Sequence, residues 1–135
     1  MNKIEGECLC GKIKYYSKSD PLFTTVCHCS HCQKQSGTAF SIIIGVDRKS
    51  LHISGDLKCY EDIGNSGKPV YRKFCGNCGS PVISDVSAAP DLLFIKAGTI
   101  NNIKSLRPIK EIWTDHKLDC ITINGIKEKY KTDGK

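Results

Sequence analysis

The sequence predicts a mainly β protein, stapled by metal, with few or no long helices. Three observations carry that expectation. The apolar runs are short and rich in β-branched residues. No window holds the 3.6-residue periodicity of a long amphipathic helix. Seven of the nine cysteines fall into three tight clusters.

Ile13 and Tyr15 alternate with Lys12 and Lys14 in the first run, and Phe23 to Cys27 follows Asp20-Pro21 as the second. Phe40 to Val46 is nearly continuous and is closed by Asp47. Leu51 to Ile53, Lys58 to Glu61, Val70 to Cys75, Pro81 to Asp85, Leu92 to Ala97 and Cys120 to Ile123 complete the series. Ser54-Gly55-Asp56, Gly64-Asn65-Ser66-Gly67 and Asn124-Gly125 mark turns between them. After Cys32 the chain can form one helical turn, stopped by Gly37.

A length of 135 residues suits one domain over 1–135, with a core from about 4 to 125 and a polar tail at 127–135 that frays. An apolar share of 39% gives a modest core, and metal binding supplies part of the missing stability. The opening Met1-Asn2-Lys3-Ile4-Glu5-Gly6 has no apolar run, and no stretch reaches the length of a membrane span. The expected compartment is therefore the cytoplasm, where clustered cysteines serve as metal ligands or catalytic groups rather than disulfides. Seven thiolates around two divalent ions bring the formal charge from +6 to +3. With the lysines scattered, no nucleic-acid partner is expected.

Cys75-Gly76-Asn77-Cys78-Gly79 has the form of a zinc knuckle, with Gly79 free to take the positive φ of a tight turn. A redox role for this C-x-x-C would need a helix start beside a βαβ unit, and neither is visible. Cys8-Leu9-Cys10 is the natural second pair: in an extended strand both thiols point to one face. Gly6 and Gly11 on either side would relieve crowding there. These four make a closed structural site. Cys27, Cys29 and Cys32 supply three ligands from six residues and leave a fourth position for water or a thiol. Three thiolates suit a soft sulfur ligand better than an activated hydroxide.

Whether that second site is open, or is completed by His28, His31, Cys59 or Cys120, is not decided by spacing. His28 faces away from the metal if the strand stays extended. His31 is the candidate general acid or base. Cys59 and Cys120 stand alone, as buried small hydrophobes do.

With these motifs in hand, the chain resembles the glutathione-dependent formaldehyde-activating enzyme family, whose domain is shared with centromere protein V. The matching pieces are Gly6-x-Cys8-x-Cys10-Gly11, Cys27-His28-Cys29-x-x-Cys32-Gln33-Lys34-x-Ser36-Gly37 and Phe74-Cys75-x-x-Cys78-Gly79-Ser80. The resemblance implies an Mss4-like, β-tent fold and two zinc ions per chain. It places a structural zinc on Cys8, Cys10, Cys75 and Cys78, and an active-site zinc on Cys27, Cys29 and Cys32. It also implies a carbon–sulfur lyase-type reaction on the adduct of glutathione, or another small thiol, with formaldehyde or a related small aldehyde. One departure stands out. Family members often carry a His before the aliphatic–aromatic pair near the C-terminus, where this chain has Lys110-Glu111 before Ile112-Trp113.

Lys34, Arg48, Arg72 and Lys73 are the cations available to steer the carboxylates of such a thiol. Two rival readings exist. One is a non-catalytic, zinc-structured module that binds a protein or other polymer. The other is a zinc store that releases metal on oxidation.

Overall fold

A computed structural model describes residues 1–134. The described residues form eleven strands and one α-helix. In order they are β1 (Ile4–Glu7), β2 (Lys14–Ser17), β3 (Phe23–Cys27), α1 (Ser30–Ser36), β4 (Ser41–Asp47), β5 (Leu51–Ser54) and β6 (Leu57–Ile63). There follow β7 (Pro69–Cys75), β8 (Pro81–Val86), β9 (Leu92–Lys96), β10 (Lys110–Ile112) and β11 (Glu128–Lys129). Mainly β is the right class, and the α-helix is seven residues long.

Two sheets result. The small one has the order β1-β2-β5, and the large one β11-β10-β3-β4-β9-β8-β7-β6. Pairing is antiparallel except for β10, which runs parallel to both β3 and β11. Side chains alternate across a strand, so the two faces of the large sheet differ. Ile44, Val46, Ile83, Leu93 and Ile95 share one face and pack with Ile4, Ile13 and Tyr15 of the first two strands and the loop joining them. That cluster is the apolar core. The opposite face carries Cys27, Ser41, Arg72, Ser84 and Lys96, all buried and mostly polar. A buried polar face needs partners, and it is here that the candidate site lies.

Three expectations are corrected. Cys120 to Ile123 forms no strand, although its pattern alternates. A strand needs a free edge to pair with, and the edge of β10 is taken by the polar β11 instead. The tail, expected to fray, is tied down as far as Thr132: Trp113, Thr114 and Tyr130 amides bond to Thr132, Tyr130 and Glu111 carbonyls at 2.8, 3.1 and 2.9 Å. Lys135 lies outside the described residues. Finally, Gly6 does not relieve crowding around a metal. A Cβ there would meet the Tyr15 ring and the Thr99 carbonyl, so the glycine serves close packing between the sheets.

Candidate metal centres

The first cluster joins two loops. Cys8 and Cys10 lie in a tight turn and not in an extended strand, because the Gly11 amide bonds back to the Cys8 carbonyl at 3.1 Å with Gly11 at φ +80. The other pair closes the β7–β8 hairpin, where Gly79, at φ +79, donates to the Cys75 carbonyl at 2.8 Å. No helix begins there, which excludes the geometry of a redox C-x-x-C.

The Sγ atoms of Cys8 and Cys10 lie 3.6 Å apart, and those of Cys10 and Cys75 3.7 Å. Around a tetrahedral zinc with sulfur at 2.3 Å, the sulfur–sulfur edge is about 3.8 Å. The set therefore fits a four-sulfur ion. Amides from Ile13 and Asn77 point at Cys8 Sγ and Cys75 Sγ at 3.3 and 3.4 Å, as donors to thiolates do. Ser80 binds the two loops to each other: its Oγ accepts from the Leu9 amide at 3.0 Å and touches Cys78 Sγ at 3.3 Å. The Ser80 hydroxyl is also the main reason the Cys78 thiol is pulled down to about 5.

The second cluster is built on one junction. Cys27 ends β3, Cys29 is the N-cap of α1, and Cys32 sits in its first turn. The helix thus starts before Cys32, earlier than the sequence suggested, because Cys29 Sγ accepts from the Cys32 amide at 3.3 Å and caps it. Gly37 ends it in the left-handed conformation, as expected. The Gln33 amide clamps the helix to the chain around it, donating to the His28 and His116 carbonyls at 2.9 and 3.0 Å. All three sulfurs lie within 4.8 Å of one another. Crowded together, they split in acidity. Cys29 and Cys32 hold the Cys27 proton on, while hydrogen bonds from Cys27 and Cys29, aided by Lys96 and Arg72, favour the Cys32 thiolate.

Among the described residues, no fourth side chain joins these three. His28 turns to the opposite side, buried, with Nε2 2.7 Å from Glu111 Oε2. His31, next to Cys32 in the chain, is half exposed, with Nδ1 2.7 Å from Asp62 Oδ2. The same oxygen accepts from Arg72 Nε at 2.9 Å. Burial opposes ionisation of Asp62, but His31 and Arg72 outweigh it and hold the carboxyl below its usual range. Cys59 and Cys120 join neither cluster. Both are exposed, which corrects the expectation of buried small hydrophobes.

Of the cations suggested for steering, Arg72 is beside the triad. Arg48 and Lys73 both pair with Asp85 and are engaged there. The residue that sequence reasoning missed is Lys96. Its side chain is buried on the triad's face, with Nζ donating to Ser41 Oγ at 3.0 Å. Burial pulls its pKa down, and the charges of Cys32, Cys27 and Cys29 push it back up. The signal was a single charge at the end of the apolar run Leu92 to Ala97.

Four sulfurs at one point and three at another, on a mainly β scaffold, define a cysteine-cluster protein with two places able to hold a metal ion. The chain belongs to the family described as Glutathione-dependent formaldehyde-activating enzyme, which matches residues 3–116. An uncharacterized lyase of Schizosaccharomyces pombe is 24% identical over 120 residues, covering 89% of this chain and 85% of that protein. A solved Rhodobacter sphaeroides protein shares the fold at a TM-score of 0.57 and 19% identity, over 73% of this chain and 88% of that one. Among the described residues, no helix is long and apolar enough to cross a membrane.

Proposed function

We propose that this protein is a zinc-dependent carbon–sulfur lyase-type enzyme, similar to S-(hydroxymethyl)glutathione synthases. Its substrate in this reading is the adduct of glutathione, or another small thiol, with formaldehyde or a related small aldehyde. The observation that carries the proposal is the three-sulfur set of Cys27, Cys29 and Cys32, to which, among the described residues, no fourth His, Cys, Asp or Glu side chain is added, while the other cluster has four. Family membership and the lyase named among the relatives support the same chemistry.

In this reading Cys8, Cys10, Cys75 and Cys78 hold a structural zinc, and Cys27, Cys29 and Cys32 hold the second. A zinc ion on three thiolates supplies a soft acceptor that favours the deprotonated form of an arriving thiol. The chain's own groups do the rest. The N-terminal turn of α1 fixes the reacting sulfur's position, so much of the rate comes from proximity. His31 is oriented by Asp62 through Nδ1, which leaves Nε2 as its working nitrogen. It takes the thiol proton and returns one to the aldehyde oxygen as the carbon–sulfur bond forms. The carbonyl π pair ends on that oxygen, no electrons are gained or lost, and the reverse course is the lyase direction.

Metal analysis followed by zinc-edge absorption spectroscopy tests the proposal. Two zincs per chain are expected, one of them with mixed sulfur and lighter-atom coordination that gains sulfur when glutathione is added. Two closed four-coordinate sites that ignore glutathione would sink the enzyme reading and favour the binding module.

A further inference from the structure

The polar face of the large sheet holds two buried cations, and they are not equivalent. Arg72 is matched by a carboxylate, its Nε lying 2.9 Å from Asp62 Oδ2. Lys96 is only 5% exposed, and among the described residues no carboxylate lies within ion-pair distance of it. Among the described residues its ammonium hydrogen-bonds to the Ser41 hydroxyl alone, at 3.0 Å. An ammonium has three donors and pays heavily for burial unless a negative charge stands near it.

The register shows where that charge is. Ser41 pairs directly with Cys27 across β3 and β4, and Lys96 pairs with Ile43, two residues along the same face. The ammonium is thereby pinned beside the thiolate triad. Ser84 Oγ is buried on this face as well and has no partner among the described residues.

We propose that Lys96 is the counter-ion of the Cys27–Cys29–Cys32 centre and governs how readily that centre accepts an anionic sulfur. The inference rests on the reading that the triad holds a divalent ion. Three thiolates and a divalent ion carry a net charge of −1. The Arg72–Asp62 pair cancels itself, so Lys96 brings the centre to zero. An arriving thiolate then raises the charge to −1 rather than −2. Lys96 is a positioning and charge-balancing residue here, and it need not touch the substrate.

The test uses the full chain with its metal, comparing the parent with Lys96→Met and Lys96→Arg. Chelator competition measures zinc affinity at the triad, with the four-cysteine site as internal reference. Cobalt-substituted protein, titrated with 2-mercaptoethanol, reports thiol binding through the sulfur charge-transfer band. That probe has no carboxylates, so carboxylate steering is left out of the measurement. Lys96→Met should lose roughly ten- to a hundredfold in both affinities at the triad, the effect of one neighbouring opposite charge. The reference site should be unchanged, and Lys96→Arg should recover most of the loss. If Lys96→Met does not fold, Lys96→Gln, which keeps a polar head without charge, carries the same expectation. Unchanged affinities, or equal losses at both sites, overturn the role of Lys96. A parent protein that binds only one zinc overturns the metal reading itself.

Discussion

Glu111 Oε2 lies 2.7 Å from His28 Nε2, and the two side chains are 1% and 0% exposed. Lys117 Nζ reaches the same oxygen at 3.8 Å. His28 stands between two cysteines of the triad, and Glu111 stands on β10, which runs parallel to β3. The pair therefore sets the strand that ends in Cys27 against its neighbour. It also gives a structural role to the Lys110-Glu111 departure from the family pattern. Removing one partner leaves the other buried and unmatched, so Glu111→Ala should cost about 3–5 kcal/mol of stability. Glu111→Gln keeps a hydrogen bond and should cost about 1–2 kcal/mol. Urea unfolding of the zinc-loaded protein checks both; an alanine variant as stable as the parent would show that the pair is idle.

The two clusters should respond differently to serine. At Cys29 the side chain caps α1, and serine is among the best N-caps, so the helix start survives Cys29→Ser. The expected variant is folded, holds one zinc instead of two, and is inactive. Cys78→Ser breaks the clamp between the β7–β8 hairpin and the β1–β2 turn. Zinc binding at such sites contributes about 10–16 kcal/mol, as much as a whole domain's net stability of about 5–15 kcal/mol. That variant should be unfolded at neutral pH by circular dichroism. Equal unfolding of both variants would contradict the division between structural and second site.

The three cysteine motifs were legible because the members of each are neighbours in sequence, where short spacing restricts geometry; that Cys8 and Cys10 meet Cys75 and Cys78 is a long-range contact. The apolar strands were legible from β-branched runs such as Ile42-Ile43-Ile44. What escaped lies in long-range pairing. β10 and β11 are polar and short, and they are strands only through the ladders that join β10 to β3 and β11 to β10. The expected strand at Cys120 to Ile123 had a suitable pattern but no edge to join. Likewise nothing local says that His28 meets Glu111, 83 positions away, or that Lys96 is turned inward against Ser41, 55 positions away.

His31 and Asp62 should act as one unit. Asp62 fixes the imidazole through Nδ1 and shares the same oxygen with Arg72. Replacing His31 by Gln should lower kcat about 10²- to 10⁴-fold, the range for a general acid–base group. Asp62→Asn should lower kcat by a smaller factor without changing zinc content. The double variant should be no slower than His31→Gln alone, because the aspartate works through the imidazole. Multiplying losses in the double variant would show that Asp62 acts by another route, through Arg72.

Tyr15 provides a pH signature of the contact between the sheets. Its hydroxyl meets Thr99 Oγ1 at 2.7 Å, its ring fills the space over Gly6, and burial pushes its pKa up to about 12 against the favourable Thr99 bond. An unfolded tyrosine titrates near 10. Between those values the unfolded chain gives up a proton that the folded chain keeps. The contribution of Tyr15 is therefore complete below about pH 10 and is lost as pH rises through about 12, a total of about 2–3 kcal/mol. Tyr15→Phe has no such proton. It should be less stable than the parent by about 1 kcal/mol near neutrality, for the lost hydrogen bond. In alkali its deficit should shrink and then reverse, because only the parent is losing stability through this group. Urea unfolding of both proteins, from about pH 8 upward, reads the difference, and two curves falling in parallel would mean that the phenol ionises as freely in the fold as outside it.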